Sequence, residues 1–207
     1  MANPTTKHIV VENSAPSQAR PAESVVWGSR VLRKEGAKKV VELGCGRLRN
    51  LPPLLNAFSN VSLVDTKLQC DRVRDLLPKS GKCTLMTVEE FTKSKGQFDA
   101  AFVISVLHTM PNSYERRGLL RLAYERLKRG GCLLVDVPQG ETYYARRCGR
   151  HNAYKDGWLM SRGSTFTFYK NFKLDELLDL VESSGNWDVY DRLTKTKHLI
   201  RLFRKIT

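Results

Sequence analysis

Apolar positions in this chain follow two rhythms that take turns from residue 20 onward. Residues 20–35 (RPAESVVWGSRVLRKE) put Val25, Val26, Ser29, Leu32 and Arg33 at helical spacing, with Gly36 as the stop. Short, nearly continuous apolar runs then recur: KVVEL (39–43), VSLVD (61–65), CTLMT (83–87), FDAAFVI (98–104) and CLLVDV (132–137). Such runs predict strands buried on both faces. Helical stretches separate them at 52–58, at 68–77 before Pro78, at 88–92, and at 113–127 before Gly130-Gly131. Strands alternating with helices imply right-handed crossovers and a mostly parallel, doubly wound α/β sheet. The last third departs from this pattern. Residues 138–172 lack clear periodicity, and 174–184 (LDELLDLVESS) reads as a helix stopped by Gly185. WDVYDRL (187–193) and HLIRLFR (198–204) are too close for another crossover helix, so they predict an antiparallel hairpin. Residues 1–18, with Pro4 and Pro16, read as a flexible arm, and 19–207 as a single domain carrying an insert at about 138–172.

The first strand runs into Val41-Glu42-Leu43-Gly44-Cys45-Gly46. Glycines there let the backbone pass close to a ligand and adopt positive φ. The helix that follows presents free N–H groups in the crevice at the strand ends, where open α/β sheets bind ligands. Asp65 closes the second strand, 19 residues after Gly46, where a carboxylate can accept from both hydroxyls of an adenosine ribose. A dinucleotide fingerprint would need a glycine where Arg49 stands, and no Gly-x-x-x-x-Gly-Lys-Ser/Thr phosphate loop occurs. The turn therefore points to a nucleoside ligand other than NAD or a nucleotide triphosphate.

These residues resemble the class I S-adenosylmethionine-dependent methyltransferases. Glu42-Leu-Gly44-Cys-Gly46 is similar to their motif I and Leu63-Val-Asp65 to motif II. Phe98 to Pro111 is similar to their motif IV region, and Leu127-Lys-Arg-Gly-Gly-Cys-Leu-Leu-Val135 to a later segment, all in the family's order. The resemblance covers roughly residues 20–204. It implies a seven-stranded, mostly parallel sheet with a C-terminal antiparallel hairpin, S-adenosyl-L-methionine as cofactor and S-adenosyl-L-homocysteine as product. It further implies a site in which Gly44, Cys45 and Gly46 pass under the methionine part and Glu42 is oriented towards the ammonium. Asp65 would hold the ribose, with Thr66 beside the adenine and Thr87 and Val88 flanking it. Ser105 and Val106 would line the methionine end and the mouth of the acceptor pocket. One departure is Leu48, where the family often has a third glycine.

Methyl transfer from a sulfonium is a displacement in which the protein's task is alignment, desolvation and, for weak nucleophiles, removal of a proton. His108, just past the fourth strand, is the candidate general base, with a rim histidine that only packs as the alternative; His151 is a second candidate. Cys148-x-x-His151 lacks two further ligands at sensible spacing, so no metal site is expected. No Asn/Asp-Pro-Pro-Tyr/Phe follows the fourth strand and no Pro-Cys occurs, which excludes ring-amine and cytosine C5 methylation of the usual kind.

Composition changes the picture mainly for the acceptor. The chain has 207 residues, 35 Lys+Arg against 21 Asp+Glu and a formal charge of +14. A balance so basic favours an anionic partner. Within 138–172, Tyr143, Tyr144, Tyr154, Trp158, Phe166, Phe168, Tyr169 and Phe172 are interleaved with Arg146, Arg147, Arg150, Lys155, Arg162 and Lys170. That mixture suits phosphate contacts with base stacking. It suits equally a lid over an anionic or aromatic small molecule, or a lid whose aromatics simply pack. RNA or other nucleic acid and a small molecule therefore both stay open as O- or N-acceptors, as does an inactive cofactor-binding or nucleic-acid-binding module. The 41% hydrophobic and 27% charged residues are ordinary for a globular protein. Five scattered cysteines, no apolar run long enough for a membrane span and no signal-like start lead to the expectation of a cytoplasmic protein without membrane contact.

Overall fold

The computed structural model of the chain describes residues 20–140, 153–162, 165–195 and 197–206; the arm expected at 1–18 lies outside them. Ten strands follow one another along it: β1 (Lys39–Leu43), β2 (Asn60–Asp65), β3 (Cys83–Thr87), β4 (Phe98–Ile104), β5 (Leu127–Pro138), β6 (Ala153–Tyr154), β7 (Gly157–Arg162), β8 (Thr165–Tyr169), β9 (Trp187–Thr194) and β10 (His198–Lys205). Seven of them form one sheet in the order β3-β2-β1-β4-β5-β10-β9. The first five are parallel, and β10 runs antiparallel between β5 and β9. The expected doubly wound sheet with a terminal antiparallel hairpin is thus the observed one. Chain order reverses between β1 and β4, so the carboxyl ends of these strands open a crevice at the topological switch point.

Helices cover both faces, and side-chain alternation along the strands divides the core accordingly. Val40, Phe102 and Leu134 face α1 (Glu23–Lys34), α2 (Leu51–Ala57) and α3 (Lys67–Val73). Val41, Val103 and Val135 face α4 (Val88–Lys93), α5 (Ser113–Arg126) and α6 (Leu174–Glu182). Three helix starts are fixed by side chains: Thr66 accepts from the Gln69 N–H, Asn112 from the Tyr114 N–H, and Thr87 forms a reciprocal capping box with Glu90. Helix α1 buries Ser24, Val25, Gly28, Ser29 and Leu32 on one stripe. Gly28 has no side chain for a packing reason, since a Cβ there would lie 2.5 Å from Leu134 Cδ2 and 3.7 Å from the Phe102 ring.

Two segments differ from the sequence expectation. Strand β5 begins at Leu127, not at Cys132, because Leu127 already pairs with Phe98 across an irregularity in the register. Gly131 permits this, since a Cβ there would stand 2.9 Å from the Lys128 carbonyl and 3.1 Å from that of Asp99. Residues 153–169, expected to be irregular, hold a second antiparallel sheet in the order β6-β7-β8. Its strands are short and pair only with one another, so they show no long apolar run. Asp156, in the β6–β7 turn, pairs with the buried Arg116 of α5 and, at 3.3 Å, with the buried Lys170; Lys170 also reaches Glu176 of α6 at 2.5 Å. No helix among the described residues is long and apolar enough to cross a membrane.

The tight seat of α1 generates a check. Gly28→Val forces a branched side chain against Leu134 and Phe102 and should destabilise the fold by about 1–3 kcal/mol, the usual cost of overpacking, read as a lowered midpoint in urea at unchanged slope.

Candidate active site

The crevice is built from the turn after β1. Gly44 (φ 84°) and Gly46 (φ 52°) both take left-handed conformations. A Cβ at Gly44 would collide with Val106, so this glycine is required by the approach of the β4 loop, whereas a Cβ at Gly46 would meet nothing within 4 Å. Backbone at Gly46 therefore borders open space. Leu48, where a third glycine was missed in the sequence, also has positive φ (64°). The turn keeps its shape with a conformation that costs a non-glycine residue about 1–2 kcal/mol, offset by burial of the leucine side chain. The Cys45 side chain is buried beneath the turn and burial pushes its thiol pKa up, so it packs the core and only its backbone faces the crevice.

Asp65 at the tip of β2 accepts from the Gly46 N–H and the Thr66 N–H, each at 2.8 Å. Gln69, in the first turn of α3, donates back to the Gly46 carbonyl at 2.8 Å. These bonds lock the glycine turn to the second strand and hold the carboxylate at the crevice edge. Parallel register puts Thr87 beside Asp65, and both Thr66 and Thr87 are spent as helix caps. Val88 follows as an exposed apolar residue on the same rim.

Glu42 lies deeper. It is 1% exposed; its Oε1 accepts from Asn50 Nδ2 at 2.6 Å, while Oε2 is enclosed without a hydrogen-bond partner among the described residues. Burial raises its pKa to about 7 against the opposing pull of Asn50 and Arg49. Asn50 Oδ1 in turn accepts from the Ala22 N–H at the start of α1. A buried carboxyl with one idle oxygen is a receptor for a cation or a donor, which suits an ammonium group nearby.

On the other side, Ser105 (φ 57°) and Val106 form the exit from β4, and the Ser105 N–H donates to the Asp136 carbonyl at 2.9 Å. Arg49 reaches the Ser105 hydroxyl at 3.4 Å and makes no ion pair among the described residues. His108 follows in a single 3-10 turn, its ring 5.7 Å from that of Tyr169. Its Nδ1 is enclosed without a partner among the described residues, and burial lowers its pKa to about 4. It is therefore neutral at neutral pH and a weak proton acceptor.

The structure thus places Glu42, Gly44, Cys45, Gly46, Asp65, Thr66, Thr87, Val88, Ser105, Val106 and His108 at the carboxyl ends of β1 to β4 or in the turns that follow them. His151 and Cys148 lie outside the described residues. Sequence reasoning passed over Asn50, Gln69, Arg49 and the pair Asp136–His198, in which His198 Nδ1 stands 2.6 Å from Asp136 Oδ1. A signal for the last was present: an acid inside the apolar run CLLVDV must find a partner when that strand is buried on both faces.

The family described as "Methyltransferase domain" matches residues 41–135, the span from β1 through β5. The Escherichia coli (strain K12) protein named "Uncharacterized protein YmfD" is 25% identical over 178 residues, 80% of this chain and 78% of that one. Human N-acetylserotonin methyltransferase in complex with S-adenosylmethionine superposes with a TM-score of 0.63 at 16% identity, covering 89% of this chain and 51% of the human one. This chain spans about half the length of that enzyme. An S-adenosylmethionine-dependent methyltransferase from Clostridium acetobutylicum gives 0.66 at 12% identity over 96% of this chain and 95% of its own.

The state of Glu42 has a direct consequence for stability. Its carboxyl keeps its proton to about pH 7 in the folded protein against 4.5 for an unperturbed glutamate. Between these values the folded state binds more protons than the unfolded, so the contribution of Glu42 to stability declines as pH rises through that window. Glu42→Gln cannot ionise. It should match the wild type near pH 4 and exceed it near pH 8 by up to about 3 kcal/mol in urea titrations of the ligand-free protein.

Proposed function

We propose that this chain is a class I S-adenosylmethionine-dependent methyltransferase, a reading supported by its fold and by the family match over residues 41–135, and that it transfers a methyl group to an oxygen or nitrogen of an anionic or aromatic small molecule. The observation that carries the cofactor part is the joint placement of the open backbone at Gly46, the carboxylate of Asp65 locked against it, and the buried Oε2 of Glu42, unpartnered among the described residues. These groups fit S-adenosylmethionine: a carboxylate for the ribose hydroxyls at one end, an orphaned acceptor for an ammonium at the other, and a chain without side chains between. When bound, this cofactor supplies a methyl group activated on a sulfonium. The protein's part is to orient it, keep water from it and receive the acceptor's proton.

For the acceptor, the described part of the insert favours the small-molecule reading over RNA. Phe168, Tyr169 and Phe172 are buried, and Lys170 is committed to Asp156 and Glu176. Aromatics that pack inward do not offer a stacking platform, and a cation already paired is a poor phosphate contact. Arg49, which makes no ion pair among the described residues and stands beside Ser105, supports an anionic group on the acceptor. The printed name of the human neighbour, a methyltransferase of N-acetylserotonin, agrees in kind: its acceptor is a small aromatic.

Calorimetry with S-adenosylhomocysteine should show binding to the wild type and a loss of about 1–3 kcal/mol for Asp65→Ala, the cost of charge-assisted hydrogen bonds to the ribose. Labelled methyl transfer into cell extract should survive ribonuclease and deoxyribonuclease and follow the low-molecular-mass fraction. Sensitivity to ribonuclease would assign an RNA acceptor; binding with no transfer would assign an inactive module.

A further inference from the structure

Opposite the His108 loop, the same crevice is bordered by a second histidine in a different electrostatic setting. Asp136, in β5, is 4% exposed, and both of its oxygens are engaged. Oδ2 accepts from the Ser24 hydroxyl of α1 at 2.5 Å, and Oδ1 faces His198 Nδ1 at 2.6 Å. The carboxylate is thereby fixed in orientation, and it fixes the imidazole: a proton on Nδ1 satisfies Asp136 and leaves the Nε2 lone pair directed away from it. The His198 side chain is 42% exposed, in contrast to the enclosed ring of His108.

Position places this pair at the reacting end of the crevice. The Asp136 carbonyl receives the Ser105 N–H, and His108 follows three residues after Ser105. His108 lies within electrostatic reach of both Asp136 and His198, and Arg49 within reach of both histidines. The charged groups facing His198 are thus Asp136 from β5, Arg49 from the loop after β1 and His108 from the loop after β4; its own turn adds Lys197, and Lys195 at the end of β9 is paired with Glu23. Of these, only Asp136 touches the ring.

The two histidines differ in what they can do with a proton. His108 is enclosed, has no partner for Nδ1 among the described residues, and burial pushes its pKa down to about 4. His198 has its pKa raised, chiefly by the hydrogen bond to Asp136. A base works best when its conjugate acid titrates near the operating pH, and a carboxylate behind the ring stabilises the imidazolium that forms.

We propose that His198, oriented by Asp136 and Ser24, is the group that takes the proton from the methyl acceptor. The assignment rests on the methyltransferase reading above. In the step, a lone pair of the acceptor oxygen or nitrogen forms the new bond to the methyl carbon. The carbon–sulfur bond breaks, and its electron pair stays on sulfur as the neutral thioether of S-adenosylhomocysteine. The proton of the acceptor O–H or N–H passes to His198 Nε2, and the imidazolium, balanced by Asp136, later releases it to water. His108 then serves as a packing residue of the pocket wall, against Tyr169.

The test uses the full chain with labelled S-adenosylmethionine and the low-molecular-mass fraction of cell extract as acceptor source. His198→Asn should lower the initial transfer rate by about 10²- to 10⁴-fold while S-adenosylhomocysteine binds as in the wild type, and it should remove the acidic limb of the pH–rate profile. Added imidazole should restore part of the rate in His198→Gly, and Asp136→Asn should move the acidic limb to lower pH. A rate within twofold of wild type in His198→Asn, or a rate lost only in proportion to cofactor affinity, overturns the assignment. So does a collapse in His108→Asn with His198→Asn intact. Absence of transfer by the wild type to every fraction of the extract, polymeric and low-molecular-mass, would instead refute the methyltransferase reading itself, and the proton assignment with it.

Discussion

Two carboxyl groups, Glu42 in β1 and Asp136 in β5, are sunk into the carboxyl ends of strands whose other residues are almost all apolar. Burying a carboxyl without partners costs several kcal/mol, so whatever satisfies these two decides how the upper end of the molecule is arranged. Both are answered in part from the same place, the first turn of α1. Ser24 donates to Asp136 directly, and the Ala22 N–H donates to Asn50, which donates to Glu42. Helix α1 is therefore more than a cover for β4 and β5. Its seat at Gly28 sets its height above the sheet, and that height brings Ser24 within hydrogen-bond distance of Asp136.

The difference between the two acids lies in what remains unsatisfied. Asp136 has a donor or ring on each oxygen, and the result is a fixed dyad. Glu42 has one oxygen answered and one idle, and the result is a carboxyl that prefers its proton until a positive ligand arrives. One arrangement is finished in the free protein and suits a recurring proton transfer. The other would be completed by a bound cation, and such binding would be linked to deprotonation near neutral pH.

Much of this was legible in the sequence. The five parallel strands and the hairpin follow from apolar runs of the right length and from the short polar gap between 193 and 198, which admits no crossover. The placement of Gly44, Gly46 and Asp65 was readable because a sharp turn after a buried strand leaves glycines behind, and an acid at the next strand tip can accept from the Gly46 N–H of that turn. The β6–β8 sheet was not readable, since its strands are two to six residues long and β8 buries Thr167, Phe168 and Tyr169 in succession with no alternation to mark it. His198 was not readable either. It is brought to the crevice by the antiparallel insertion of β10 beside β5, a contact between positions 62 residues apart that no local pattern announces. Its partner did announce itself, and an unanswered acid in a doubly buried strand is a question worth pursuing across the whole topology.

The chain's large positive charge takes on a different meaning in this setting. Arg116 and Lys170, two of the cations of the α5 and insert regions, are buried and tie the small sheet to α5 and α6 through Asp156 and Glu176. They hold structure and cannot also meet a substrate without breaking it. Arg49 differs, being only partly buried, with no ion pair among the described residues and within electrostatic reach of both histidines. A guanidinium there disfavours a proton on either ring, and an anionic acceptor that neutralised it would raise the basicity of His198 at the moment of need. On the proposed assignment, substrate charge and proton acceptance would be coupled through one residue, giving selectivity for an anion and competence as a base a common physical origin.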